Sequence, residues 1–209
     1  MILSVRLYGD PILRKTARPI TSFNNNLEQL AKSMMETMYH YNGVGLAAPQ
    51  IGVGKRMFTA LHLDKETETP EDAPPPETTE EKKEQWGVVG EYVMINPKIL
   101  SSAGEALDIE GCLSMPGLYA ENVKRPDSIM VEYYDLEGKR HELETSGHFA
   151  RVIQHELDHL DGVLFLDRLG NLEKRNFMEE NRSDLGAMQR EAKALLKDAA
   201  PLPAELIIS

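Results

Sequence analysis

His155 and His159 stand four residues apart in QHELDHLDG (154–162), with Glu156 between them. Four residues of α-helix turn about 400°, so both imidazoles leave one face a turn apart, as two nitrogen ligands of one metal ion must. Glu156 projects about 100° around the axis, off the ligand face yet within reach of a water on the metal. The H-E-x-x-H pattern is that of metal-dependent hydrolases whose glutamate is the general base. An amphipathic helix with solvated histidines is the plainer alternative. It competes poorly, because two His, Glu and Asp on an otherwise apolar helix cost burial energy unless they do something. The motif leaves the third ligand open.

Cys112, the one cysteine of the chain, lies in EGCLSMPG (110–117) and is the best candidate. A lone cysteine cannot staple the fold, so no disulfide framework exists. An inert buried thiol is the common alternative, but glycine and acid flank this one. Cysteine with two histidines makes three protein ligands and leaves a fourth position for water, the layout of a catalytic site. A further histidine of the extended protease motif would fall at Phe165, which excludes that family. A glutamate downstream, Glu179 or Glu180, is the rival third ligand of a different metallopeptidase class. A cysteine protease built on Cys112 would leave one histidine unexplained.

GVGLAAPQIG (43–52) follows a long apolar-faced helix expected over 24–42, with Leu27, Leu30, Ala31, Met34, Met35, Met38 and Tyr41 on one face and Gly43 as its stop. Gly45, Ala47 and Ala48 let the backbone approach its neighbours closely. Gln50 carries a neutral amide able to donate to a developing oxyanion. A tight helix-to-strand connection would explain this segment if it stood alone. No lysine or Ser/Thr follows in the place a phosphate loop requires.

In that order, GVGLAAPQ, EGCLS and QHELDH resemble the three motifs of the peptide deformylases. The likeness covers most of residues 1–169, including LYGDPILR and FARVIQHELDHLDGVLFLDR. It implies a hydrolase of N-terminal processing in protein biosynthesis, which removes the formyl group from the formylmethionine of new polypeptides and releases formate. It further implies Cys112, His155 and His159 as metal ligands, Glu156 as general acid and base, Gln50 and the Leu113 amide as the oxyanion site, and Gly45 along the bound peptide. Fe²⁺ is the ion it implies first, with Zn²⁺, Ni²⁺ or Co²⁺ as substitutes. Val44 and Val152 are candidates for the pocket that takes the methionine side chain, with ordinary core packing as the alternative.

Three neighbours extend this reading. Glu110 is expected to pair with Arg125 and hold the EGCLS loop, as the corresponding pair of the family would. Asp158, beside His159, is a candidate for orienting a ligand imidazole. Tyr119 stands where some relatives carry arginine beside the substrate.

The elements that must position these residues read as α+β: mainly antiparallel sheets packed around a central metal-binding helix, with a C-terminal helix. The expected order is N-terminal strand and short helix, long helix, strands over 56–63 and 92–100, ligand loop, a hairpin around Gly138 and the metal helix. Residues 1–169 form the catalytic domain and 170–209 a C-terminal helix (171–197) and tail. At 209 residues, with 41% hydrophobic and 27% charged residues, the chain fits one ordinary domain with a substantial core. No run reaches membrane-spanning length and no leader is read before the domain, so a cytoplasmic enzyme is expected, and the resemblance to the deformylases implies a bacterial one. A net charge of −11 argues against broad nucleic-acid binding. Over half of it lies in 64–85, DKETETPEDAPPPETTEEKKEQ, where nine acids face three lysines. This acidic insertion (64–90) is expected to be a flexible, solvated loop. Family members can dock on the ribosome near its exit through a C-terminal helix, but the helix here has no basic cluster. Besides a deformylase, a metallopeptidase using Glu179 or Glu180 and a non-catalytic binding module stay open; the intact ligands and Glu156 argue against the last.

Overall fold

The computed structural model describes residues 1–64, 74–198 and 202–208. Helix α1 (Asn25–His40) starts where the Asn24 side chain accepts the Leu27 amide at 3.2 Å, and it buries Leu27, Leu30, Met34 and Met38. The chain leaves it through a left-handed Asn42 (φ 56°), one residue before the glycine expected to stop it. Asparagine tolerates that conformation. The amide of Asn42 donates to Tyr39 O at 3.1 Å and that of Gly43 to Met38 O at 2.9 Å, which closes the helix end.

Five strands form one antiparallel sheet in the order β1 (Gly45–Ala47), β2 (Met57–Leu63), β3 (Val88–Ala103), β6 (Ser128–Tyr134), β7 (Arg140–Ser146). Strands β4 (Ala106–Cys112) and β5 (Met115–Arg125) form a separate antiparallel pair, with Cys112 opposite Met115 at its turn. The hairpin around Gly138 (φ 76°) joins β6 to β7 as expected.

Between the sheets runs α3 (Gly147–Leu160), which carries the H-E-x-x-H motif. Its apolar face, Phe149, Ile153 and Leu160, packs with Phe58, Met94, Ile129 and Val131 of the large sheet. Emptying one such site, as in Ile153→Ala, costs about 2–5 kcal/mol. Gly162 ends the helix left-handed (φ 73°), and a Cβ there would lie 2.7 Å from the Arg14 backbone. The α+β architecture around a central helix is therefore the one expected.

Four local expectations are corrected. Residues 1–7 form no strand, because their amides pair singly with different segments: Leu3 N–H donates to Thr37 Oγ1 at 2.9 Å, whereas Arg6 N–H donates to Gln50 O at 2.6 Å. The short helix after them is a 3-10 turn, Pro11–Arg14. Within the acidic insertion, residues 79–85 are not a loop but helix α2 (Thr79–Gln85). Thr78 and Glu81 exchange side-chain-to-backbone hydrogen bonds there, a capping box legible as T-x-x-E. Residues 65–73 of the insertion lie outside the described residues, and β3 already begins at Val88, inside the expected 64–90 span.

The C-terminal helix is two helices, α4 (Asn171–Glu180) and α5 (Arg182–Asp198). At the break, Phe177 O accepts both the Asn181 side chain at 2.9 Å and the Asn181 amide at 3.1 Å. Phe177, Leu185 and Met188 cover the β4–β5 pair, while Leu206 and Ile208 return to the core against α1.

Candidate metal centre

Helix α3 and the β4–β5 turn face each other across one small volume. Of the described residues, one ligand atom each from Cys112, His155 and His159 lies within 4.8 Å of the others. Cys112 Sγ is 3.1 Å from His159 Nε2. Tetrahedral thiolate and imidazole ligands of one ion sit about 3.3–3.6 Å apart, from metal–sulfur and metal–nitrogen bonds near 2.3 and 2.0–2.1 Å. The 3.1 Å approach is tighter than that and the 4.8 Å limit looser, so it is the donor types, one thiol and two imidazoles, that suit a borderline-soft divalent ion. Glu179 and Glu180 are exposed on α4 and take no part in this cluster.

Glu110 orients the first imidazole: its Oε2 accepts from His155 Nδ1 at 2.9 Å, which leaves Nε2 as the ligand atom. The expected pair with Arg125 is present, with Nε to Oε1 at 2.5 Å and Nη2 to Oε2 at 2.9 Å. A second arginine joins it, Arg151 Nη1 donating to Oε1 at 2.7 Å. Burial alone would raise the Glu110 pKa. The hydrogen bonds and charges of Arg125 and His155 outweigh it and hold the carboxyl well below the usual range.

The expected role of Asp158 is corrected. It accepts from Arg125 Nη1 at 2.9 Å and from both Nε (2.9 Å) and Nη2 of Arg168, not from His159. The cause is its place on α3: one residue before His159 means about 100° of rotation, so the two side chains leave different faces. His159 Nδ1 is buried with no hydrogen-bond partner among the described residues. Burial and the nearby positive charges of His155 and Arg125 drive the His159 pKa well down, which favours the neutral, metal-binding form.

Glu156 lies beside the cluster, 4% exposed, and its Oε2 is buried without a hydrogen-bond partner among the described residues. Burial pushes its pKa up to about 7. What makes room for it is Gly45, where a Cβ would lie 2.3 Å from Oε1. Gln50 is 1% exposed and held by its own loop: Oε1 accepts the Ala47 amide at 2.8 Å. Its Nε2 lies 3.2 Å from Ser114 Oγ and 3.4 Å from Cys112 Sγ, so the donor end of the amide faces the cluster.

A cleft of roughly 520 Å³ opens over these groups and is lined by Val44, Gly45, Gln50, Leu113, Val152 and Glu156 among others. Every residue expected at the site borders it except His159, which lies beneath as a wholly buried side chain. Tyr119 flanks the cleft with 64% of its surface exposed. The sequence reading missed Asn42, Ile109, His148 and Arg151 as lining residues. Arg151 carried a signal: with His155 and His159 it continues the spacing of four by one more turn.

A family model described as polypeptide deformylase matches residues 2–175. The peptide deformylase of Thermus thermophilus is 48% identical over 198 residues, 95% of this chain and 98% of the relative. That of Thermotoga maritima is 41% identical over 166 residues, 79% and 85% of the two chains. Among solved structures, the peptide deformylase from Thermus thermophilus superposes with a TM-score of 0.79 at 43% identity, covering 91% of this chain and 99% of that one. The peptide deformylase from Plasmodium falciparum does so at 0.73 and 32% identity, covering 91% and 97%.

Proposed function

The chain belongs to the peptide deformylase family, metal-dependent enzymes that remove the formyl group from N-terminal formylmethionine, and from that premise we propose that Cys112, His155 and His159 hold its catalytic ion. The observation that carries this reading is the convergence of one thiol and two imidazoles within 4.8 Å, beside a buried glutamate with an unpartnered oxygen. Fe²⁺ is the ion we assign first, with Zn²⁺, Ni²⁺ or Co²⁺ as substitutes, because thiolate and imidazole suit all of them. Such an ion supplies Lewis acidity, which activates water and polarises a carbonyl near neutral pH.

The protein's own groups do the rest. As a carboxylate, Glu156 takes a proton from the attacking water while the new C–O bond forms at the formyl carbon. Negative charge collects on the formyl oxygen, to which Gln50 Nε2 and the Leu113 N–H donate. Glu156 then delivers its proton to the amine nitrogen as the C–N bond breaks, and formate and the free N-terminus leave. Gly45 lies along the bound peptide, and Val44 and Val152 give the methionine side chain apolar surface.

Residues 1–169 are the catalytic unit in this reading, and 170–209 are its C-terminal extension, of which Phe177, Leu185, Met188, Leu206 and Ile208 pack on it. The substrates are formylated nascent chains, and the reaction belongs in the bacterial cytoplasm. Among the described residues no helix is long and apolar enough to cross a membrane. A ribosomal contact near the exit would fall on the outer face of α5, where Arg190, Lys193 and Lys197 are exposed beside Glu191.

The test is metal analysis alongside formate release from a formyl-Met peptide, with protein prepared anaerobically in Fe²⁺. Cys112→Ser should lose ion and activity together, whereas Glu179→Ala and Glu180→Ala keep both. The reverse pattern would move the third ligand to α4 and overturn the assignment.

A further inference from the structure

Helix α2 of the acidic segment lies against the end of α1, and one of its lysines reaches the rim of the cleft. Lys82 Nζ donates to Tyr39 O at 2.7 Å and to Asn42 Oδ1 at 2.6 Å. Both acceptors belong to the closing turn of α1, where Tyr39 O already takes the Asn42 amide. An ammonium group at this end also meets the partial negative charge of the last carbonyls. The docking is reinforced by rings. Trp86, just after α2, stacks on Tyr39 with centroids 6.0 Å apart, and Lys82 Nζ lies 5.7 Å over the Trp86 ring. On the other side Lys83 pairs with Glu91 at 3.2 Å, and Glu91 accepts the Tyr39 hydroxyl at 2.9 Å.

We propose that Lys82 is a positioning residue of the deformylase cleft, fixing the left-handed Asn42 and thereby the path of residues 43–45 along the bound peptide. Asn42, Gly43, Val44 and Gly45 all line the cleft. Two of them bring their backbone directly against side chains of the site: a Cβ on Gly43 would lie 2.7 Å from Leu113 Cδ1, and one on Gly45 2.3 Å from Glu156 Oε1. Asn42 is a lever three residues from that second contact. Its own side chain is exposed, and Lys82 is the hydrogen-bond partner that restrains it. The acidic segment thus does more than loop through solvent, since its last helix buttresses the substrate side of the site.

The inference rests on the cleft being the peptide site. Formate release by the parent enzyme tests that reading; the variants, compared with the parent, test this one. Lys82→Ala should raise KM for a formyl-Met tripeptide about three- to tenfold with kcat within about twofold, as expected when ground-state and transition-state binding are lost equally. Bound metal should stay at the parent level. Asn42→Gly keeps the left-handed turn and deletes the same hydrogen bond, so it should fold and raise KM alike. Lys82→Arg should recover most of the loss, and Glu84→Ala, at an exposed position of the same helix, should keep the parent KM. Emission of Trp86, the one tryptophan of the chain, reports whether α2 remains docked. Parent-like KM in both Lys82→Ala and Asn42→Gly would overturn the proposal. So would an equal rise in Glu84→Ala, or a fall in kcat that tracks lost metal.

Discussion

Gly45 and Glu156 share a space that admits no side chain on the first without displacing the second: a Cβ on Gly45 would lie 2.3 Å from Oε1 and 2.7 Å from Cδ. The first strand of the sheet is therefore shaped around the Glu156 carboxylate, the group proposed to move the proton. Gly45→Ala should keep its metal and lose about 10²-fold or more in kcat, the range that general acid–base catalysis commands. Formate release normalised to bound ion is the check, and an alanine variant with parent activity would show that Glu156 works from elsewhere.

Glu110 receives Arg125, Arg151 and His155 in a pocket where its side chain is 4% exposed. Removing its charge leaves the buried Arg151 without its close carboxylate and Arg125 with Asp158 alone, and breaking a buried pair costs about 3–5 kcal/mol. Glu110→Gln should lower stability by that order in denaturant titration. It should also weaken metal binding about 10–100-fold, because His155 loses the group that orients it. A variant with parent stability and parent metal affinity would contradict both roles.

Acid should act through the same carboxyl. The pKa of Glu110 is lower in the folded protein than its ordinary value of 4.5, so the unfolded chain binds the proton more readily. Its contribution to stability is complete above that ordinary value and is lost as pH falls below it toward the folded pKa. Thermal denaturation between pH 7 and 3 should show Tm falling from about 4.5 downward in the parent, and less steeply in Glu110→Gln. Equal slopes would remove Glu110 from the acid response.

The rate should depend on pH in the opposite sense to an acid catalyst acting alone. Glu156 must be ionised to accept the first proton, and burial holds its pKa up to about 7. A neighbouring divalent cation favours the carboxylate and pulls that value down. Hence kcat/KM should rise with pH along a limb whose midpoint lies at or below about 7. A rate that falls across that interval would mean that protonated Glu156 starts the reaction.

Much of this site was legible before any coordinates. The spacing of His155 and His159, Glu156 turned off their face, and the isolation of Cys112 between glycine and leucine all carry their chemistry in residue type and interval. The central helix and the hairpin around Gly138 followed from apolar period and turn residues, whereas the β4–β5 pair fell where a ligand loop was expected. Contacts between distant segments were less legible. Asp158 looked like a partner for His159 because the two adjoin in sequence, yet helix rotation turns it to Arg125 and Arg168. Glu110 reaches His155 across 45 residues, a pairing no local pattern announces. Composition misled over 79–85, where charge suggested a loop while Thr78 and Glu81 cap a helix. The break at Asn181 was hidden because no proline or glycine marks it in the sequence.

The most direct test of the account is formate release from a formyl-Met peptide by Fe²⁺-loaded Glu156→Gln, expressed per bound ion and compared with the parent. The ligands Cys112, His155 and His159 are untouched in this variant, so it should bind about one ion per chain as the parent does. Its turnover should fall about 10²–10⁴-fold, because glutamine accepts no proton. Near-parent formate release with the ion in place would contradict the assignment of Glu156 as the group that moves the proton.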